Sequence, residues 1–147
     1  MYTQMLVPID GSKLSDTAVA HAVELAQRVG AKITLFYASP DYPMPAYADG
    51  IVYEPITKKE YAKMAQEEAA RVMDEAMKKA TSAGVECAQM HVIAAAPWEA
   101  ILKAAKKSKC DVIVMASHGR RGLSAVLLGS ETQKVLTHSK LPVLVVR

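Results

Sequence analysis

At 147 residues, with 51% hydrophobic and 22% charged side chains, the chain has the size and balance of one globular domain, residues 1–147, with a substantial core. No apolar run nears the roughly 20 residues that span a bilayer, and Met1 to Met5 lack the basic opening and long apolar stretch of a signal peptide; a cytoplasmic protein without membrane contact is expected. The net charge of +3 comes from interleaved acids and bases, and no aromatic residue stands among Lys103, Lys106, Lys107 and Lys109, which removes the case for nucleic-acid binding.

Met5 to Asp10 reads as the first strand. A helix follows, capped by Ser15 and ending at Val29 before Gly30, with Ala18, Ala22, Leu25, Ala26 and Val29 on its buried face. The second strand covers 33–38. Residues 40–56 break the rhythm with Pro40, Pro43, Pro45 and Pro55 among Tyr42, Tyr47 and Tyr53. They read as a stiffened connection that serves as a lid or partner surface, or else as a solvated loop whose tyrosines pack back on the surface. A long helix over 58–82 carries Tyr61, Met64, Ala65, Val72, Met73, Ala76 and Met77 as its apolar stripe.

The third strand spans 86–93. A third helix opens at Pro97, a residue suited to a first helical turn, and carries Trp98, Ile101, Leu102 and Ala105. The fourth strand is 112–115, the last helix begins at Ser130, and the fifth strand is 143–146. Cys87 and Cys110, with no CxxC spacing, read as buried thiols, and no metal site built from the protein alone is expected. Strands separated by single helices imply parallel pairing with right-handed crossovers. The expected fold is therefore a doubly wound α/β domain, a five-stranded parallel sheet in the order 3-2-1-4-5 with helices on both faces.

In such sheets ligands lie at the carboxyl ends of the strands, where the winding reverses. Asp10 and the turn Ala116-Ser117-His118-Gly119 would flank that crevice, and Gly129-Ser130 follows after residues 120–128. Glycines let a backbone approach a phosphate, and a helix N-terminus presents free donors and partial positive charge. The spacing alone fits an anion-binding turn and a plain connection equally well. Asp10 is placed to accept from a ribose hydroxyl or to hold a phosphate-bound cation. Arg120 and Arg121 suit phosphate neutralisation and ordinary loop exposure alike. Glu131 puts a carboxylate where it would repel phosphates or position a cation. His118 has no Ser–His–Asp arrangement and reads as a loop residue touching ligand through its backbone; His21, His91 and His138 read as surface or core residues. No Walker loop occurs, strand five lacks the lysine of a phosphoacceptor domain, and no SerGlyGly-type loop follows strand one.

Val7-Pro8-Ile9-Asp10-Gly11-Ser12, the run Val112 to Ser124, Leu127-Leu128-Gly129-Ser130-Glu131-Thr132 and Leu141 to Val146 together resemble the universal stress protein family along essentially the whole chain. That family's signature, Gly-x-x-Gly, nine residues, then Gly with Ser or Thr, puts its later glycines on Gly119 and Gly129 and its hydroxyl on Ser130. Its first glycine is Ala116 here, and Ala95 stands where many members have glycine before the third helix. The resemblance implies an ATP site, with Mg²⁺ as a possible companion. Pro8 and Asp10 would lie near adenine and ribose, and Ala38 against the base. Met115, Ala116, His118 and Gly119 would form the ribose and phosphate turn, and Gly129, Ser130 and Thr132 would hold the outer phosphates. It further implies a homodimer through Pro142 to Val146, a regulatory partner that the residues do not identify, and at most slow hydrolysis. The competing reading is a nucleotide-free dimeric scaffold.

Overall fold

A period of two decides where each strand residue goes. In the computed structural model, which describes residues 1–43, 46–48, 50–53, 56–119 and 127–147 (46–48 and 51–53 by backbone alone), Met5, Leu6 and Val7 are all fully buried. Met5 and Val7 face one core and Leu6 the other. A strand apolar on both faces must be central, and this one is. The elements run β1 (Gln4–Pro8), α1 (Lys13–Val29), β2 (Lys32–Ser39), β3 (Ala46–Ala48), β4 (Ile51–Tyr53), α2 (Lys58–Ser82), β5 (Cys87–Ile93), α3 (Pro97–Lys107), β6 (Val112–Ala116), α4 (Ser130–His138) and β7 (Val143–Val146). The main sheet is ordered β5-β2-β1-β6-β7, with every pairing parallel. Counted along its own five strands, this is the expected 3-2-1-4-5.

The first core joins Met5, Val7, Ile33, Leu35, Val112 and Val114 to the alanine-rich faces of α1 and α2. The second joins Leu6, Phe36, Ile113 and Met115 to Ile101 of α3 and Val135 of α4. Each buried aliphatic side chain contributes about 1.5–3 kcal/mol, so the two layers account for most of the driving force.

Three local readings change. α1 begins at Lys13 and is capped by Ser12, not Ser15, because Asp10 Oδ1 accepts the Ser12 N–H at 2.9 Å and turns the chain early. Ser12 Oγ then takes the Ser15 N–H at 3.1 Å. Met64 is exposed, since the buried stripe of α2 runs through Ala65, Ala69, Val72, Met73, Ala76 and Ala80. Val29, at the end of α1, is exposed too.

Within 40–56 the chain forms a small antiparallel hairpin, β3–β4, where an irregular connection was expected. Tyr42 packs edge-on against Tyr61 of α2, ring centroids 5.6 Å apart, and donates to the Ile56 carbonyl, while the Tyr61 hydroxyl donates to the Pro40 carbonyl. This fastens the hairpin's base to α2. The side chains of Tyr47 and Tyr53 lie outside the described residues.

Asp111 aligns the two central strands. Its carboxylate accepts the Thr3 N–H (2.8 Å), the Thr3 hydroxyl (2.7 Å) and the Gln4 N–H (3.2 Å), and its own N–H reaches the Gln4 carbonyl at 2.9 Å. Burial pushes this carboxyl up, but the hydrogen bonds from Thr3 and Gln4 outweigh it and hold it below its usual value. A lowered carboxyl stabilises the fold above its unfolded value and loses that contribution as acid protonates it. Asp111→Asn is expected to lower stability at neutral pH by about 1 kcal/mol, a figure reduced for solvent screening. In denaturant titrations the gap to the parent should close as pH falls through the carboxylate range.

Candidate functional site

β1 and β6 are paired neighbours, Met5 with Val112 and Leu6 with Ile113, yet the chain leaves them towards opposite sides of the sheet. Their carboxyl ends therefore open into a crevice, here a cleft of about 710 Å³, within the range of small-molecule sites. Pro8 and Asp10 line it from the end of β1, Ala38 from β2, and Met115, Ala116, His118 and Gly119 from β6 and its turn; Gly129, Ser130, Glu131 and Thr132 open α4 against it. Every site residue expected from the sequence lines this one cleft except Arg120, which lies outside the described residues with Arg121.

The hydrogen bonds separate structural parts from available ones. Gly129 caps α4 and has no side chain to cap with. Its own N–H goes to the Ser117 carbonyl at 2.8 Å, so its part is clearance rather than donation. A Cβ at Gly129 would stand 3.1 Å from His118 Cα and 3.4 Å from the Ser117 carbonyl oxygen, tight contacts against backbone. The first-turn N–H groups of Ser130, Glu131 and Thr132 have no partner within the helix and point at the cleft end of α4. Gly119 is pressed against Asp10: a Cβ there would collide with the carboxylate oxygen Oδ2.

Thr132, 3% exposed, gives its hydroxyl proton to the Ala116 carbonyl at 3.0 Å. That proton is thus engaged in joining α4 to β6. Glu131 reaches away from its own helix, and Oε2 accepts the Trp98 N–H of α3 at 2.8 Å. Ala116 ends β6 without a left-handed backbone, and its methyl belongs to the core beneath α1, so an alanine is accommodated where the family signature has glycine.

Sequence reasoning missed several walls of the cleft: Phe36 and Ile101 as its apolar floor, Asp41 just past β2, and Ser15, whose buried hydroxyl accepts the Asp10 N–H at 3.2 Å. The signal for Asp41 was its place, directly beyond the end of an inner strand. Other candidates have local roles. His91 shares a 2.8 Å hydrogen bond with Ser39, and burial pushes its pKa down. His138 stacks on Trp98, centroids 4.7 Å apart. Burial pushes both thiols up to about 11, which makes Cys87 and Cys110 unreactive near neutral pH. Among the described residues no cluster of three metal-ligating side chains occurs, and no helix is long and apolar enough to cross a membrane.

This architecture defines a doubly wound α/β protein whose cleft sits at the switch point, lined by the N-termini of α3 and α4. The chain belongs to the universal stress protein family, whose sequence profile matches residues 1–147. It is 33% identical to universal stress protein YxiE of Bacillus subtilis, over 100% of both chains. The solved structure of MJ0577, a universal stress protein of Methanocaldococcus jannaschii, superposes with a TM-score of 0.81 at 28% identity, covering 99% of this chain and 96% of that one. A universal stress protein in complex with cAMP superposes at 0.71, also 28% identical, covering 99% of this chain and 97% of that one.

Thr132→Val keeps the shape and removes the donor, leaving the Ala116 carbonyl buried without it. A loss of about 1–3 kcal/mol in stability is expected, read by chemical denaturation.

Proposed function

We propose that the cleft binds a nucleotide, ATP in particular, and that the protein is a cytoplasmic, dimeric stress-response switch with at most slow hydrolysis. The observation that carries this reading is the glycine-capped N-terminus of α4 opening into the cleft. Among the described residues the first-turn N–H groups of Ser130, Glu131 and Thr132 have no partner, and with the positive end of the helix they form a ready anion site. The cAMP complex of a 28% identical relative supports a nucleotide as the ligand class.

In this reading the base lies between Pro8 and the Ala38 backbone, over Phe36 and Ile101. Asp10, held by the Ser12 N–H, accepts from the ribose, and the phosphates run past Gly119 to the first turn of α4. Gly119 keeps that path open because a side chain there would displace Asp10. A Mg²⁺ ion accompanying the triphosphate would be held mainly by phosphate oxygens and water, with Asp10 and Glu131 as nearby carboxylates, and would neutralise phosphate charge.

Gly129→Val puts a branched side chain against His118 and Ser117 at the phosphate end. Calorimetry is expected to show ATP affinity at least about tenfold weaker, roughly 1.4 kcal/mol, in a variant that still melts cooperatively. Equal affinity in variant and parent would remove the triphosphate from this turn. A parent that binds no nucleotide would favour the scaffold reading.

The dimer is proposed to form along β7, an edge strand of the sheet on which Leu144 is 42% exposed. Self-pairing would cover its open hydrogen-bonding edge. Leu144→Lys is expected to shift the protein to monomer in sedimentation, and an unchanged dimer would move the interface elsewhere.

A further inference from the structure

An acid in the first turn of a helix ordinarily serves that helix. Glu131, second in α4, instead turns to the start of α3 and accepts the Trp98 N–H at 2.8 Å. α3 has no cap of its own, since Ala96 brings no side-chain acceptor and Pro97 no N–H. Two helix N-termini thus meet at the cleft. That of α3 is filled by a carboxylate built into the chain, whereas that of α4 has only Gly129 as its cap.

From this arrangement we infer that Glu131 is a specificity-determining residue of the nucleotide cleft, a fixed negative charge that ranks ligands by the charge at their phosphate end. The inference rests on the nucleotide reading and deepens it. The carboxylate cannot swing away from an incoming phosphate without leaving the Trp98 N–H unpartnered. Its counter-charge, Lys134, is half exposed and stands 3.5 Å from Oε1, so neutralisation is partial. A bare triphosphate is penalised more than a monophosphate, and a divalent cation on the phosphates lifts the penalty. The site therefore favours the metal complex of a nucleoside triphosphate, or a nucleotide of low charge, over the free tetra-anion.

Glu131→Gln retains a carbonyl acceptor for the Trp98 N–H and nearly the same volume while deleting the charge. Calorimetry on the full chain at low salt, with adenosine, AMP, ATP in chelator and ATP with excess Mg²⁺, provides the test. The expected gain is graded: none for adenosine, about threefold for AMP, about tenfold or more for metal-free ATP and less for Mg-ATP, with the differences shrinking at high salt. Lys134→Ala, on the exposed side of the pair, should act in the opposite order and weaken metal-free ATP most. It provides the reading if the glutamine variant does not fold. A purely structural cap would shift adenosine and ATP alike, and such an equal shift, or no shift, overturns the role of Glu131. Parent protein that binds none of the four ligands overturns the nucleotide reading itself, and this inference with it.

Discussion

Three hydrogen bonds gather the chain where β6 gives way to α4. The Val146 carbonyl receives the Ser117 N–H at 2.8 Å, the Ser117 carbonyl receives the Gly129 N–H at 2.8 Å, and the Ala116 carbonyl receives the Thr132 hydroxyl at 3.0 Å. Together they tie the last strand, the inner strand and the final helix at one point. Because α4 is anchored by its first turn, the helix N-terminus that lines the cleft is held in place by the fold itself. The same closeness explains the glycine: Gly129 passes so near His118 and Ser117 that any side chain would press on backbone.

The alternation of apolar strands and single helices made the main sheet legible, because a strand buried on both faces leaves a continuous run such as Met5 to Val7 or Val112 to Met115. What escaped depends on partners distant in sequence or on competing local bonds. Ser15 and Ser12 are equally good caps by residue type, and only the Asp10 side chain, bonding two residues ahead, decides between them. The β3–β4 hairpin lies among prolines, which argue against strands, and its base is held by contacts to α2 that no local pattern announces.

The site was legible for a related reason and incomplete for another. Glycine spacing and strand ends are local, and they led to one cleft from four separate segments. The jobs of individual residues are not local. Thr132 is a clasp to β6, and Glu131 is the missing cap of α3, at a separation of 33 residues. A carboxylate beside the proposed anion site looks like a contradiction until its acceptor role on the neighbouring helix is seen. It then becomes the element that links the openings of two helices.

Trp98 sits at that link. It is the single tryptophan of the chain, its backbone is held by Glu131, and its indole lies against the His138 imidazole at an interplanar angle of 28°. The tryptophan emission of this protein therefore comes from a single place in the fold and is a local signal. It reports on one seam between two helices, α3 and α4, close to where Glu131 bridges them. The chain has an optical probe where α3 and α4 meet, with no label added.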